Sequence, residues 1–277
     1  MAWFTRLSRF TILASILAAT LTLGLFVAIS KQVQAQSHSP SLSSVLENAF
    51  RPPTPPLVPE SRGPGGSCRS YGCFSEKYPL TAIVPVSGVG KTIAAEPTVF
   101  WYVPETFFDF DRGGFSPAMD FLLTDASKQT VLSVKYPLAK PANGSVGSPG
   151  IISFSVAHSQ PVKFGEEYHW EVSLTCDSTS TDRSCDLYAT GGFKRVKPDP
   201  TLAQDLLQAT PYERVAIYAK AGLWYETVES LLKLRREHPE DKDLAEAWKT
   251  LLKSVLLDEI SSAPINKVAL TGWESSD

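Results

Sequence analysis

Short apolar runs separated by turn-forming residues fill the middle of the chain, from residue 78 to residue 197. The runs are rich in β-branched and aromatic residues, and clusters of Gly, Pro, Asn and Asp lie between them, which is typical of strands joined by turns. They read LTAIVPV, TVFWYVP, AMDFLLTD, TVLSVKYP, GIISFSVA, EYHWEVSLTC and CDLYATGGF. About seven strands of this kind predict a β-sandwich.

Beyond the last strand, apolar residues recur at the spacing of a helix face. The run TPYE at residues 210–213 is a capping box with proline at the first helical position. A second helix is predicted from about Leu223 to His238 and a third from about Asp243 to Ile260. Residues 198–262 are therefore expected to form three or four helices, followed by a tail at 263–277, in an α+β fold.

Two local sequences resemble known domain types. PVKFGEEYHWEVSL, residues 161–174, is similar to the fibronectin type III pattern. That resemblance implies an immunoglobulin- or fibronectin III-like sandwich in which Tyr168 is a tyrosine corner, its hydroxyl bonded back to the upstream turn. RVAIYAKAGLWYETVESLLKLRREHPE, residues 214–240, resembles one tetratricopeptide unit. Because repeats need about three units for a core of their own, we expect the helices to dock on the sandwich.

The four cysteines form two close pairs, Cys68 with Cys73 and Cys176 with Cys185. If Cys176 faces Cys185 across a hairpin, the same antiparallel register matches inward residues with inward residues. It places Leu174 opposite Leu187, Val172 opposite Ala189 and Tyr168 opposite Phe193. This agreement favours a disulfide over a metal site or free thiols, and the other pair is expected to form a second local disulfide.

The amino terminus has the pattern of an export signal. Arg6 and Arg9 precede an uncharged stretch, and VQA at residues 33–35 matches a cleavage site, so residues 1–35 are predicted to be removed. The alternative is an uncleaved membrane anchor. Residues 36–77 are rich in Pro, Ser and Gly and are interpreted as a linker. The protein is therefore expected to be periplasmic or secreted.

The strand TVFWYVP has apolar residues on both faces. Val99, Trp101 and Val103 share one face, whereas Phe100 and Tyr102 share the other. A strand that is apolar on both faces needs a cover. Either the carboxy-terminal helices bury Phe100 and Tyr102, or the two side chains belong to an exposed partner-binding patch.

The loop FFDFDRGG is a second candidate for binding. Phe107, Phe108 and Phe110 would make it either a flap that closes the end of the sandwich or a recognition surface. Asp109 and Asp111 have the first two spacings of a calcium loop. The third acidic position and the distant glutamate are absent, so a solvated loop is favoured over a calcium site.

Composition excludes nucleic acid as a partner, because the net charge is −3, the pI is about 5.9 and no run of Lys or Arg occurs. SGVGKT at residues 87–92 lacks the first glycine of a phosphate-binding loop and is assigned to a turn. No nucleophile motif is complete, and no cofactor is indicated. His169 and Glu171 share a strand face and are the only basis for an acid/base pair, with a solvated face as the favoured alternative.

Taken together, LTAIVP, PTVFWYVP, FGEEYHWEVSLTCD, ERVAIYAKAGLWYETVESLLKLR and AWKTLL resemble a cyanobacterial family of exported proteins described only as a domain of unknown function. The resemblance implies export and carries no activity, substrate or catalytic residue. We therefore expect a non-enzymatic module that binds an envelope or secreted protein. Carbohydrate or cell-wall binding is the first alternative and a hydrolase is the second, and a membrane is contacted only through an uncleaved signal.

Overall fold

The computed structural model describes residues 41–51, 79–104, 118–137, 149–156, 162–175, 177–179, 181–183, 186–266 and 274–275. The contacts divide the chain into two units, residues 1–41 and residues 42–277, and all elements described below belong to the second unit. Within the described ranges, no helix combines the length and the apolar character that crossing a membrane requires.

The described strands form two sheets. They are β1 (Thr81–Ala82), β2 (Val89–Thr92), β3 (Thr98–Val103), β4 (Ala118–Asp125), β5 (Thr130–Pro137), β6 (Gly150–Ser155), β7 (Glu167–Thr175), β8 (Leu187–Arg195) and β9 (Glu274–Ser275). One sheet has the order β1-β3-β6 and the other the order β2-β8-β7-β4-β5-β9. Only β2 and β8 pair in parallel among these strands. The predicted α+β class is confirmed.

The core between the two sheets is aromatic. Trp101 of β3 lies 6.2 Å from Phe121 of β4 and 6.3 Å from Trp170 of β7, measured between ring centroids. Phe154 of β6 completes the cluster at 4.6 Å from Phe121. These contacts join strands of different sheets, because alternate residues of each strand point to the same side.

The register predicted for the β7 and β8 hairpin is confirmed. Leu174 pairs with Leu187, Val172 with Ala189 and Tyr168 with Phe193. The alternation of inward and outward residues specifies this register, because a slip by one residue would turn every apolar side chain to the opposite face.

The helices are α1 (Leu42–Ala49), α2 (Pro200–Gln208), α3 (Pro211–Lys220), α4 (Trp224–Glu237) and α5 (Lys242–Ser254), followed by a 3-10 turn at Asp258–Ile260. The predicted capping box at the start of α3 is confirmed, since the Thr210 side chain accepts from the backbone N–H of Glu213 and the Glu213 side chain accepts from the backbone N–H of Thr210. Asp199 and Asp241 cap α2 and α5 with the side chain alone, Asp199 accepting from the backbone N–H of Thr201 and Asp241 from those of Asp243 and Leu244.

The interpretation of residues 36–77 as a linker is wrong for α1. Val45 and Leu46 are buried, and α1 packs against α3 and α5. The Phe50 ring meets the Trp224 ring edge to face, with 5.0 Å between centroids. The Pro, Ser and Gly content of the whole segment hides an eight-residue amphipathic helix, whose apolar stripe becomes stable only when it packs on other helices.

Helix α4 attaches the helices to the sheets through its first turn. The indole N–H of Trp224 donates to the carbonyl of Ile83 at 3.2 Å, and the Tyr225 hydroxyl donates to the carbonyl of Gly192 at 2.7 Å. A Cβ at Gly90 of β2 would lie 2.8 Å from the Tyr225 ring, so this close approach requires glycine. These bonds confirm that the helices dock on the sheets, while an immunoglobulin- or fibronectin III-like sandwich stays a prediction.

The segment after the helices, predicted only as a tail, pairs with both sheets. The backbone N–H of Ile151 donates to the Pro264 carbonyl, and that of Asn266 donates to the Ile151 carbonyl, at 2.8 and 3.0 Å. Further along, β9 pairs with β5 at Val134 and Lys135. Strand β9 takes the edge of the larger sheet beside β5, and β6 is an edge of the smaller sheet; edge backbone groups readily accept another extended segment.

Candidate functional site

An open groove of about 520 Å³ lies on the outer face of the larger sheet. Its floor comes from β4, β7 and β8, and its wall comes from the turn at residues 86–89 that leads into β2. The register sets the floor, because Glu171 of β7 lies between Leu122 of β4 and Thr190 of β8. The next row holds Thr124, His169 and Gly192.

The wall of the groove is a tight turn fixed to β8. The backbone N–H of Gly88 donates to the Pro85 carbonyl at 2.8 Å, and the Gly88 carbonyl accepts from the N–H of Gly192 at 2.9 Å. Gly88 has a φ of 78°, a conformation that favours glycine. The assignment of SGVGKT to a turn holds only for Ser87 and Gly88, because Val89–Thr92 form β2; no helix follows the motif directly.

The outer face of β7 carries three ionisable side chains in a row. His169 Nε2 lies 3.3 Å from Glu167 Oε1, so the histidine contacts Glu167 and not Glu171. Burial raises the pKa of the Glu171 carboxyl above its ordinary value. The Glu171 carboxylate has no hydrogen bond or ion pair with any residue that the structure describes.

Leu122 is the apolar part of the groove. Its side chain is 36% exposed and lies directly across the sheet from Glu171, between the buried Phe121 and Leu123. The run FLL in AMDFLLTD contained the signal, because three consecutive apolar residues force one of them onto the outer face of the strand. Sequence reasoning assigned the strand correctly and missed this outward leucine.

A family model described as Domain of Unknown Function (DUF928) matches residues 61–265. The chain belongs to this family. The DUF928 domain spans β1 to β8, the groove and helices α2 to α5, whereas α1 lies before the matched residues. The resemblance to a domain of unknown function is confirmed, while its cyanobacterial origin stays a prediction. Among curated proteins, no sequence matches the chain.

Two of the predicted binding residues lie in the interior of the DUF928 domain. Phe100 and Tyr102 are 1% and 7% exposed. Their face of β3 is turned towards α4, since Thr98 on that face donates from its hydroxyl to Glu229 of the helix at 2.9 Å. Both faces of this strand are apolar because the helices cover the face of Phe100 and Tyr102, which was the alternative to an exposed patch. Phe100 and Tyr102 are therefore withdrawn as partner-binding residues.

The remaining predicted binding and disulfide residues lie outside the described residues. They are Phe107, Phe108, Phe110, Asp109 and Asp111 of the loop, and Cys68, Cys73, Cys176 and Cys185. The described part of the DUF928 domain contains no group of three or more His, Cys, Asp or Glu side chains that could hold a metal ion. The calcium loop and both disulfides stay predictions.

Tyr168 lies beneath the turn that precedes β7. It is 4% exposed, and its hydroxyl accepts from the backbone N–H of Lys163 at 3.1 Å and donates to Glu166 at 3.2 Å. Its ring stacks on Phe193 of β8, with 5.4 Å between centroids. This geometry has the hydroxyl-to-upstream-backbone bond that a tyrosine corner requires.

Sequence reasoning also missed a buried carboxyl group in the helix attachment. Glu226 of α4 is 8% exposed, and its Oε1 accepts from the Thr92 hydroxyl at 2.6 Å and from the Ile93 N–H at 2.8 Å. Its Oε2 is buried without a partner among the described residues. Burial raises the pKa of Glu226, and the hydrogen bonds partly oppose that rise. A glutamate in an amphipathic helix gives no sign of burial in the sequence.

Proposed function

We propose that this DUF928 protein is an exported, non-enzymatic binding module and that its protein partner binds the outer-sheet groove. The observation that carries the proposal is the groove itself, in which an exposed leucine lies beside a carboxylate that has no partner among the described residues. Apolar surface next to a few converging polar groups is typical of binding sites. In the hydrolase alternative, His169 would pair with Glu167, whose Oε1 lies 3.3 Å from its Nε2, instead of with Glu171.

Export and disulfide formation belong to the same proposal. The signal-like residues 1–35 and the paired cysteines support it. If the confirmed register of β7 and β8 continues by two residues, Cys176 comes opposite Cys185. Thiol labelling of the unreduced mature protein, residues 36–277, tests this part separately, and we expect neither cysteine to react.

The deciding experiment captures partners from an envelope and medium extract with the mature chain as bait. Leu122→Arg places a long charged side chain in the groove, and Leu207→Arg is the matched control on α2, where Leu207 is 80% exposed. We expect one protein that is retained by the wild type and by Leu207→Arg and lost from Leu122→Arg. Retention of the same protein by all three baits would refute the groove as its site.

The carbohydrate alternative has its own outcome. Sedimentation of the three proteins with purified polysaccharide and with peptidoglycan would report glycan binding directly. The wild type and Leu207→Arg could pellet with a glycan while Leu122→Arg stays in solution. That result would replace the protein-binding proposal with glycan binding at the same groove.

A further inference from the structure

The Glu171 carboxylate lines the groove without a partner among the described residues. It is partly buried, burial raises its pKa, and it has no hydrogen-bond or ion-pair partner within the described part of the chain. Removing a carboxylate from water without supplying a partner is unfavourable. A bound cation would restore the lost interaction in the environment where it is strongest, since the groove excludes part of the solvent.

The groove itself supplies no such cation. None of the described residues that line it is Lys or Arg. In the row of Glu171, the neighbours are Leu122 and Thr190, which are uncharged. In the row on the C-terminal side of Glu171 along β7, the Asp120 carboxylate of β4 is paired with Lys135 at 3.6 Å, so that lysine already has a carboxylate partner. On the other side, His169 contacts Glu167.

Leu122 defines what kind of cation fits. Side chains directly opposite each other on antiparallel strands have Cβ atoms about 5 Å apart, so the exposed leucine and the carboxylate form adjacent halves of one surface. Lysine and arginine have an aliphatic stem and a charged end, and they bind such surfaces by packing the stem while the end reaches the polar group. A simple metal ion would leave the leucine without a contact.

We infer that the partner inserts a lysine or arginine side chain into the groove, with its stem on Leu122 and its charged end on Glu171. The inference rests on the proposed function and adds the chemistry of the partner, a basic segment of a polypeptide. The negative net charge of the chain, −3, favours the approach of such a segment. Thr190, opposite Glu171 on β8, offers its hydroxyl to the backbone of the segment, whereas the Thr124 hydroxyl already donates to the His169 carbonyl at 3.4 Å.

A randomised heptapeptide library displayed on phage provides the test. The mature wild-type chain, Glu171→Gln, Glu246→Gln and Leu122→Arg are used as baits. Glu246 is exposed on α5, so its substitution changes the net charge equally without touching the groove. We expect the wild type and Glu246→Gln to enrich peptides that contain Lys or Arg, and Glu171→Gln to lose that enrichment. For one enriched peptide measured by titration calorimetry, we expect Glu171→Gln to weaken binding roughly tenfold or more.

The outcomes separate this inference from the proposed function. The wild type could enrich peptides that have no bias towards Lys or Arg and that the Leu122→Arg bait does not retain. That result would refute the inserted Lys or Arg side chain and leave the groove as a binding site. Basic peptides retained equally by Glu171→Gln and Glu246→Gln would show attraction to the overall charge and overturn the role of Glu171. If the wild-type bait enriched no peptide over empty beads, both the inserted basic side chain and the groove as a peptide-binding site would be contradicted.

Discussion

Glu226 offers a test of how the helices are attached to the sheets. Its Oε1 accepts from the Thr92 hydroxyl at 2.6 Å, from the Ile93 N–H at 2.8 Å and from the Ala94 N–H at 3.2 Å. Ala94 has a second acceptor in the Thr92 hydroxyl oxygen, so two donors depend on the carboxylate alone. Leaving a buried donor unpaired costs about 1–3 kcal/mol. Because Ile93 is only partly buried, we expect Glu226→Ala to lower the free energy of unfolding by about 2–4 kcal/mol.

The assay is urea unfolding of the mature chain followed by tryptophan fluorescence. Glu229→Ala is the matched control, because Glu229 is exposed one turn later on α4 and accepts one hydrogen bond from Thr98. It should change the free energy of unfolding by about 0.5 kcal/mol or less. If Glu226→Ala were as stable as Glu229→Ala, the carboxylate would not hold the strand and the reasoning would be refuted.

The pH dependence of Glu226 has a definite sign. Burial raises its pKa in the folded protein, so the folded state binds this proton more tightly than the unfolded state. The resulting stabilisation is present below the unfolded pKa and is lost as the pH rises through the folded pKa. The difference between wild type and Glu226→Gln should therefore shift in favour of the variant as the pH is raised above the ordinary glutamate pKa. A difference independent of pH would contradict the raised pKa.

Three further predictions concern the sheets. A Cβ at Gly150, where φ is 154°, would lie 2.5 Å from a backbone carbonyl of the C-terminal segment, so Gly150→Ala should lower the melting temperature more than Gly165→Ala, whose Cβ meets nothing within 4 Å. Tyr168→Phe should lower the free energy of unfolding in urea by about 0.5–1.5 kcal/mol, since the partly buried hydrogen bond from the Lys163 N–H is lost; an unchanged midpoint would contradict this. Replacing Cys176 and Cys185 with Ser should cost about 2–3 kcal/mol, and no loss would argue against the disulfide.

The local elements could be predicted because each carries its own signal. Alternation specified the β7 and β8 register from Tyr168 to Leu174, and the capping box specified the start of α3 at Thr210. The signals fail where stability comes from distant contacts. Helix α1 was missed because eight residues form a helix only when another surface buries Val45 and Leu46.

The candidate site shows the same division. The sequence by itself determined that His169 and Glu171 share the outer face of a strand, because side chains alternate with a period of two. It also determined that β3 needed a cover on the face of Phe100 and Tyr102. Only the tertiary structure decided that α4 is that cover, and that Leu122 lies beside Glu171 in a groove. Those neighbours come from β4 and from helices far along the chain, and the pairing of distant segments depends on the packing of the whole core.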